Sequence, residues 1–484
     1  MNDSSGPALG DVLFRRILRN AGLVLGGKLA TALLNLAAFS IAMHSLGATQ
    51  MGVLVLVHGF AQTASSLVKF QSWQAVLRYG SGNTEPARRA EFQAMLRFTA
   101  GLDLGSAVVG SLACAAAAWF FGPSFGWPPE IVPLAVLYAT STAFLVTAAP
   151  IGLLRLFDRF DLLARRDALG AGFRLAGAAL AVALGAGLPG FLGAWYAATV
   201  LGGLVVIAAA WRETARHGLL RPDPAGRRLR ATEAHPGIWG FAWSTNLMTT
   251  LSLGSSHVAT LCVGWMLGPA EAALFSLARQ IGEAALKPSR FLTPALYPEL
   301  ARLAAAQDRA ALRRLLRRGL RLSAALALAL LLVLAALGEW LLRLVGGAEA
   351  SGAYPVMLLL ATAASIGFAG FALEPLLVSV ERHGLALRLR TVATAAYLPL
   401  ALIGLGLFGL AGAGLASVFS ALILLAGQAV PALQWLANPA PAGSEQNLHY
   451  SSGKLLTTRA RGGMGVIDRG KGDAGRAGGP AGDH

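Results

Sequence analysis

Eight charged side chains placed inside long apolar runs are where this sequence has chemistry to offer. Lys28, Lys69, Asp103, Arg174, Arg279, Glu283, Lys287 and Arg290 all interrupt stretches built mainly of Leu, Ala, Val, Gly and Phe. On insertion scales a Lys, Arg or Asp at the centre of a lone membrane helix costs roughly 2.5–3.5 kcal/mol, so such groups face a bundle interior, an aqueous cavity or one another. Arg279, Glu283 and Lys287 recur at steps of four, on one helical face, where Glu283 pairs with either neighbour. Pro288 and Pro294 loosen the same segment, because proline removes a backbone hydrogen bond and crowds the preceding turn. Six of the eight groups are basic and two acidic, which leaves an interior with an excess of positive charge. Such an interior attracts anions of the phosphate type and suits an organic cation poorly.

Each of these residues also has a plainer reading. Lys28 lies about eight residues into its run, roughly 12 Å deep at 1.5 Å per residue, and its stem is long enough to snorkel towards headgroups. Lys69 stands in the polar stretch Lys69-Phe70-Gln71-Ser72-Trp73-Gln74, in which Trp73 is an anchor candidate for the membrane interface. Asp103 and Arg174 lie closest to the cytoplasmic side and are candidates for ion pairs or cavity lining, as is Glu283. His44, His58 and His257 have no metal-ligand spacing and fit hydrogen bonding between helices, together with Asn20, Asn35, Gln62, Asn246 and Gln280. Cys114 and Cys262 both sit in apolar segments, which speaks against a disulfide framework and a cysteine metal site. No metal or other cofactor is expected. The stretch 152–167 alternates charges and predicts a short amphipathic helical elbow carrying Arg155, Asp158, Arg159 and Asp161. No nucleophile, phosphate loop or metal set accompanies those carboxylates, so an enzyme is not expected.

The elements that must position these groups are membrane helices. Of the 484 residues 55% are hydrophobic and 13% charged, with a mean hydropathy of +0.59, against about 25% charged in soluble domains. The apolar material comes in blocks long enough to cross about 30 Å of hydrocarbon, which takes roughly 20 helical residues. The predicted spans are 20–43, 52–77, 97–120, 131–152, 168–187, 191–211, 238–265, 272–298, 319–338, 353–378, 388–406 and 411–433. Arg15, Arg16 and Arg19 precede the first run without a short cleavable region, which predicts a retained helix.

The net charge of +16 would raise nucleic acid as a partner in a soluble protein. Here the basic residues occupy short loops on one side of the predicted spans. They run from Arg15 through Arg78, Arg88, Arg89, Arg155, Arg165, Arg166, Arg212 and Arg230 to the block Arg302–Arg321, then to Arg382, Arg388 and Arg390. The other side has Arg343 with Glu130, Glu271, Glu339 and Glu349. That asymmetry predicts an even number of spans with both termini in the cytoplasm. It also sets the expected organisation: a cytoplasmic segment 1–19, a six-helix bundle 20–211, a basic linker 212–237, a second bundle 238–433 and a Gly-rich basic tail 434–484. The tail has too little apolar material to offset the entropy of ordering, and its basic residues could touch anionic lipid. Leu46-Gly47 and Leu267-Gly268 recur 221 residues apart at the ends of the first and seventh spans, and the same offset places Lys69 on Arg290. This is the pattern of a parallel repeat, with a binding site between the halves.

Several short stretches resemble a known family. They are Phe14-Arg15-Arg16 through Asn20, Leu46-Gly47 with Gly52, Trp73-Gln74 before Arg78-Tyr79-Gly80, Gly152-Leu153-Leu154-Arg155 with Arg159-Phe160-Asp161, and Ala295-Leu296-Tyr297-Pro298. In these, over residues 14–433, the chain is similar to the bacterial lipid-linked oligosaccharide flippases, in a larger group with multidrug exporters and peptidoglycan-lipid flippases. The resemblance implies an all-α polytopic protein, two six-helix bundles around a central cavity, and alternating access in a bacterial inner membrane. It implies transfer of an undecaprenyl-pyrophosphate-linked oligosaccharide, with Lys28, Lys69, Arg279, Lys287 and Arg290 neutralising the pyrophosphate. Membrane lipids, and polysaccharide polymerase or export proteins, are the other partners it implies. A drug or amphiphile exporter with an acidic site, and a non-transporting assembly partner with fully paired charges, are the competing readings.

Overall fold

In hydrocarbon a backbone N–H or C=O has no water to bond, and a helix satisfies both internally. The computed structural model follows that constraint. It describes residues 9–83, 85–223, 226–253, 255–283, 296–297, 299–304, 306, 308–380 and 382–437. Its α-helices in chain order are α1 (Leu9–Val68), α2 (Ser72–Gly80), α3 (Arg89–Phe121), α4 (Ile131–Ala139), α5 (Thr142–Leu145), α6 (Ala148–Leu156), α7 (Phe160–Ala183), α8 (Gly187–Arg216) and α9 (Ala231–Ala234). There follow α10 (Ile238–Leu253), α11 (Ser255–Leu267), α12 (Pro269–Gly282), α13 (Arg309–Gly346), α14 (Tyr354–Ala369), α15 (Leu373–Ser379), α16 (His383–Phe408) and α17 (Leu410–Ala437). Among the described residues eight helical segments are long and apolar enough to cross a bilayer. The protein is all-α and polytopic.

The helix breaks carry the architecture. α1 has 60 residues, about 90 Å at 1.5 Å per residue and three times the hydrocarbon thickness. Gly47, at φ 72° and ψ 173°, divides it into two arms at the point where the sequence predicts a boundary between spans. Gly268, at φ 96° and ψ 174°, stands between α11 and α12 in nearly the same conformation. The two Leu-Gly pairs therefore make the same corner twice, with a left-handed φ that glycine adopts without steric cost. The corners meet: a Cβ on Gly52 would overlap the Pro269 carbonyl, so only glycine lets the two backbones approach this closely.

Other predicted spans are less continuous than expected. The second is interrupted at Lys69–Gln71, the fourth at Val146–Thr147 and the tenth at Gly370–Ala372. The span expected at 168–187 lies in α7, that at 238–265 divides between α10 and α11, and α12 covers the start of 272–298. The elbow is a corner and not one amphipathic helix. Asp158 takes φ 54°, which among the described residues no other non-glycine does, and it separates α6 from α7.

Within the unit ending at Ala432, the main core gathers Leu54, Leu56, Phe191, Phe275, Leu342 and Met357 from both arms of the sequence. A second cluster of Val76, Phe92, Met95, Leu153, Leu154, Val206 and Ile238 joins α2, α3, α6, α8 and α10. Large apolar side chains such as Leu104, Phe120, Leu184, Leu332 and Leu407 are exposed, as hydrocarbon rather than water demands. The basic linker is strapped to α3. Arg89, Gln93 and Arg97, at steps of four, donate to the carbonyls of Pro222, of Leu219 and Arg221, and of Leu229. The expected tail enters the described residues only as the end of α17, and residues 438–484 lie outside them.

Candidate functional site: a cationic cavity and paired helix breaks

Arg174 is half-buried on α7, and its surroundings fix its orientation. Asn35 donates its amide to the Thr31 carbonyl at 2.9 Å, which turns its Oδ1 towards Arg174. The guanidinium donates to that oxygen at 2.8 Å and lies 5.7 Å from the Trp195 ring centroid. Its buried Nε has no acceptor. Arg279 on α12 stands 3.6 Å from Glu283, the pairing expected from their spacing, and its Nε is likewise buried without an acceptor.

Both arginines line one cavity of 360 Å³, with Asn35, His58, Trp195, Thr260, Ser276 and Gln280. Among the described residues no carboxylate lines it. In low dielectric two guanidinium groups with spare donors bind a phosphate-like group through charge-assisted hydrogen bonds. His58 is hydrogen-bonded to the Tyr138 hydroxyl at 2.8 Å and to Gln62 at 3.3 Å, the interhelical role expected of it. A second cavity of 350 Å³ is lined by Arg279, Glu283, Tyr397, Ser417, Ser420 and Gln428, so Arg279 forms the wall between the two. Trp195, Thr260, Tyr397 and Gln428 were not legible as site residues, since each sits in an ordinary apolar run and only packing turns it inward.

Lys69 and Asp103 make a separate locus. Lys69 lies in the break between α1 and α2, and its Nζ donates to the Leu145 carbonyl at the end of α5, 3.3 Å away. Asp103 on α3 accepts the Ala149 N–H at 2.7 Å, in the first turn of α6. A cation thus meets the carbonyl end of one half-helix and an anion the amide end of the next, as the partial charges there favour. Asp103, a candidate for an ion pair or cavity lining near the interface, is buried and bound to backbone. Arg174, a candidate for the same two roles, lines the cavity and is bound to an amide.

Lys28 is exposed on α1, and Lys287 and Arg290, with Pro288 and Pro294, lie outside the described residues. Trp73 carries the Arg155 guanidinium 4.5 Å above its ring. At the corner Arg159 donates to both Asp161 oxygens and to Glu213; these bonds hold the Asp161 carboxyl below the usual carboxylate range. Among the described residues no three His, Cys, Asp or Glu side chains are grouped to hold a metal ion.

A family model described as "Polysaccharide biosynthesis protein" matches residues 102–353. The inner membrane protein YghQ of Escherichia coli (strain K12) is 32% identical over 298 residues, 60% of this chain and 82% of that protein. The chain belongs to the polysaccharide biosynthesis protein family. Solved structures show its fold on transporters. An inward-facing multidrug resistance MATE family transporter of the MOP superfamily matches with a TM-score of 0.68 at 16% identity, over 85% of this chain and 96% of that one. An outward-facing structure of such a transporter gives 0.57 at 16% identity, over 87% and 95%. A MOP superfamily transporter from Pyrococcus furiosus, described as having a binding pocket of reverse polarity, gives 0.55 at 16% identity, over 87% and 96%. This family member is a multi-pass membrane protein with the fold of those transporters.

Proposed function

We propose that this polysaccharide biosynthesis family member flips an undecaprenyl-pyrophosphate-linked oligosaccharide across the bacterial inner membrane for surface polysaccharide synthesis. The observation that carries the proposal is the cavity lined by Arg174 and Arg279, on whose wall no carboxylate lies among the described residues. The pyrophosphate is held there by arginines from the two halves of the chain, while the lipid tail stays in hydrocarbon. Lys69 and Asp103 hold helix breaks, and Lys28, Lys287 and Arg290 are further proposed partners of the pyrophosphate.

The architecture proposed for this is twelve crossings in two parallel-related bundles, with cytoplasmic termini and the linker 212–237 between them. The count follows from the eight segments once Gly47 divides the first, α7 is admitted despite its charges, α10 and α11 form one crossing, and α12 begins another. The Gly52–Pro269 approach then seals the outer end, which agrees with the higher TM-score to the inward-facing structure. Alternating access requires that contact to part.

An exporter of cationic drugs is the second reading, favoured by the MATE fold. The two arginines on a wall with no carboxylate among the described residues oppose it, because a cation gains nothing from them. A non-transporting assembly partner is opposed by the buried guanidinium nitrogens that lack acceptors. The test is purified protein in liposomes with labelled polyprenyl-pyrophosphate oligosaccharide, read as transfer between leaflets. Transfer that is absent, or unchanged in Arg174→Gln and Arg279→Gln, refutes the proposal.

A further inference from the structure

We propose that the basic end of α13 is a binding surface for the headgroups of anionic glycerophospholipids. α13 has 38 residues, about 57 Å of helix, where roughly 30 Å crosses the hydrocarbon. Its first turns carry Arg313, Arg314, Arg317, Arg318 and Arg321, all exposed. Leu312 and Leu316 fix the inner face of this stretch, with 0% and 2% exposure, and Ser323, Ala327 and Leu334 continue that face along the helix. At 100° per residue Arg314, Arg318 and Arg321 point the opposite way. Further along, the same outer side carries Leu322, Leu328 and Leu332, exposed by 70%, 57% and 60%. The arginines thus continue a stripe that hydrocarbon covers, one to three turns beyond it, where lipid phosphates lie.

A second observation concerns their partners. Some arginines of the basic loops meet carboxylates, as Arg227 does Asp223, Arg302 Glu299 and Arg390 Glu374. None of the five on α13 has a carboxylate partner among the described residues. Orientation by positive charge needs only the charge; it does not need five unpaired guanidinium groups on the side of the helix that meets lipid. Guanidinium forks bind phosphate oxygens two at a time, and a basic cluster beside a membrane helix is attracted to an anionic leaflet over about one Debye length. An acidic soluble protein would match the charge but not its continuity with a lipid-facing leucine stripe.

The proposal is tested on the full-length protein in nanodiscs of phosphatidylcholine, with and without phosphatidylglycerol or cardiolipin. Thermal unfolding and native mass spectrometry of retained lipid are the two readouts. Wild-type protein is expected to retain anionic lipid and unfold at a higher temperature with it, an effect that salt weakens. Replacing all five arginines by Gln is expected to lower the apparent lipid affinity roughly tenfold or more, and replacing them by Lys to preserve most of it. Equal retention by wild type and the Gln variant overturns the proposal. So does a surface that ignores anionic lipid but binds polyglutamate, an outcome that assigns it to an acidic protein. Should the Gln variant fail to fold, the lipid and salt dependence of the wild type still decides.

Discussion

Arg174 reaches an amide oxygen and Arg279 a carboxylate at 3.6 Å, so both keep donors for a ligand. A charge-assisted hydrogen bond contributes about 1.5–3 kcal/mol, so Arg174→Gln should weaken headgroup binding about 10- to 100-fold. Titration of the reconstituted protein with a short-chain polyprenyl pyrophosphate checks this. The change should be mainly a loss of affinity, with a smaller loss of thermal stability of about 0.5–1.5 kcal/mol from the bond that Arg174 gives the Asn35 oxygen. Asp103 and Lys69 should behave in the opposite way. Asp103→Ala strands the Ala149 N–H, costing about 1–3 kcal/mol of stability. Lys69→Met removes one of two donors to the Leu145 carbonyl, which keeps the Thr147 N–H, and costs less, about 0.5–1.5 kcal/mol. Unfolding in detergent should show both losses. A double-mutant cycle should show that they are not additive, since both residues hold the ends of one helix break.

Elements fail or hold at their breaks. Gly47 and Gly268 adopt the same left-handed corner, and Gly52 lets one corner touch the other. Gly52→Val should force the Pro269 backbone away and hold the outer end apart. Spin labels placed on the two corners should then report a longer distance, and transfer should fall even though no cavity residue has changed. Unchanged distances in that variant would mean that the contact does not close the outer end. The corner at Asp158 answers to pH. Hydrogen bonds from Arg159 depress the folded-state pKa of Asp161, so the stabilisation is present above the ordinary carboxylate value. It is lost only as pH falls through the depressed value. Asp161→Asn should remove this acid dependence from the corner's resistance to proteolysis while leaving the neutral-pH fold intact.

For the whole molecule, the charge asymmetry and the eight apolar segments lead to one experiment. With Cys114 and Cys262 replaced, single cysteines introduced at Asp161 and Glu349 should label from opposite sides with a membrane-impermeant maleimide. Asp161 should be reached in inside-out vesicles and Glu349 in right-side-out ones. Labelling of both from one side would refute the even count and the orientation together.

The membrane class, the helical content and the Leu-Gly corners were legible in the sequence, because hydrocarbon imposes them locally. An apolar run of sufficient length must be helical, and a left-handed corner favours glycine wherever it occurs. That charges stand inside the apolar runs was legible too, but their surroundings were not. Arg174 and Lys69 look alike as isolated basic residues in apolar runs. One faces a cavity shared by both halves of the chain, and the other closes a helix end. What distinguishes them is the Leu145 carbonyl, 76 residues from Lys69, and Asn35, 139 residues from Arg174. Such partners are fixed by how helices pack, which no local pattern encodes. The sequence by itself set the solvent in which this chain folds. Only the tertiary structure decided which charges line a cavity and which bind the backbone, because that depends on donors and acceptors brought together from distant helices.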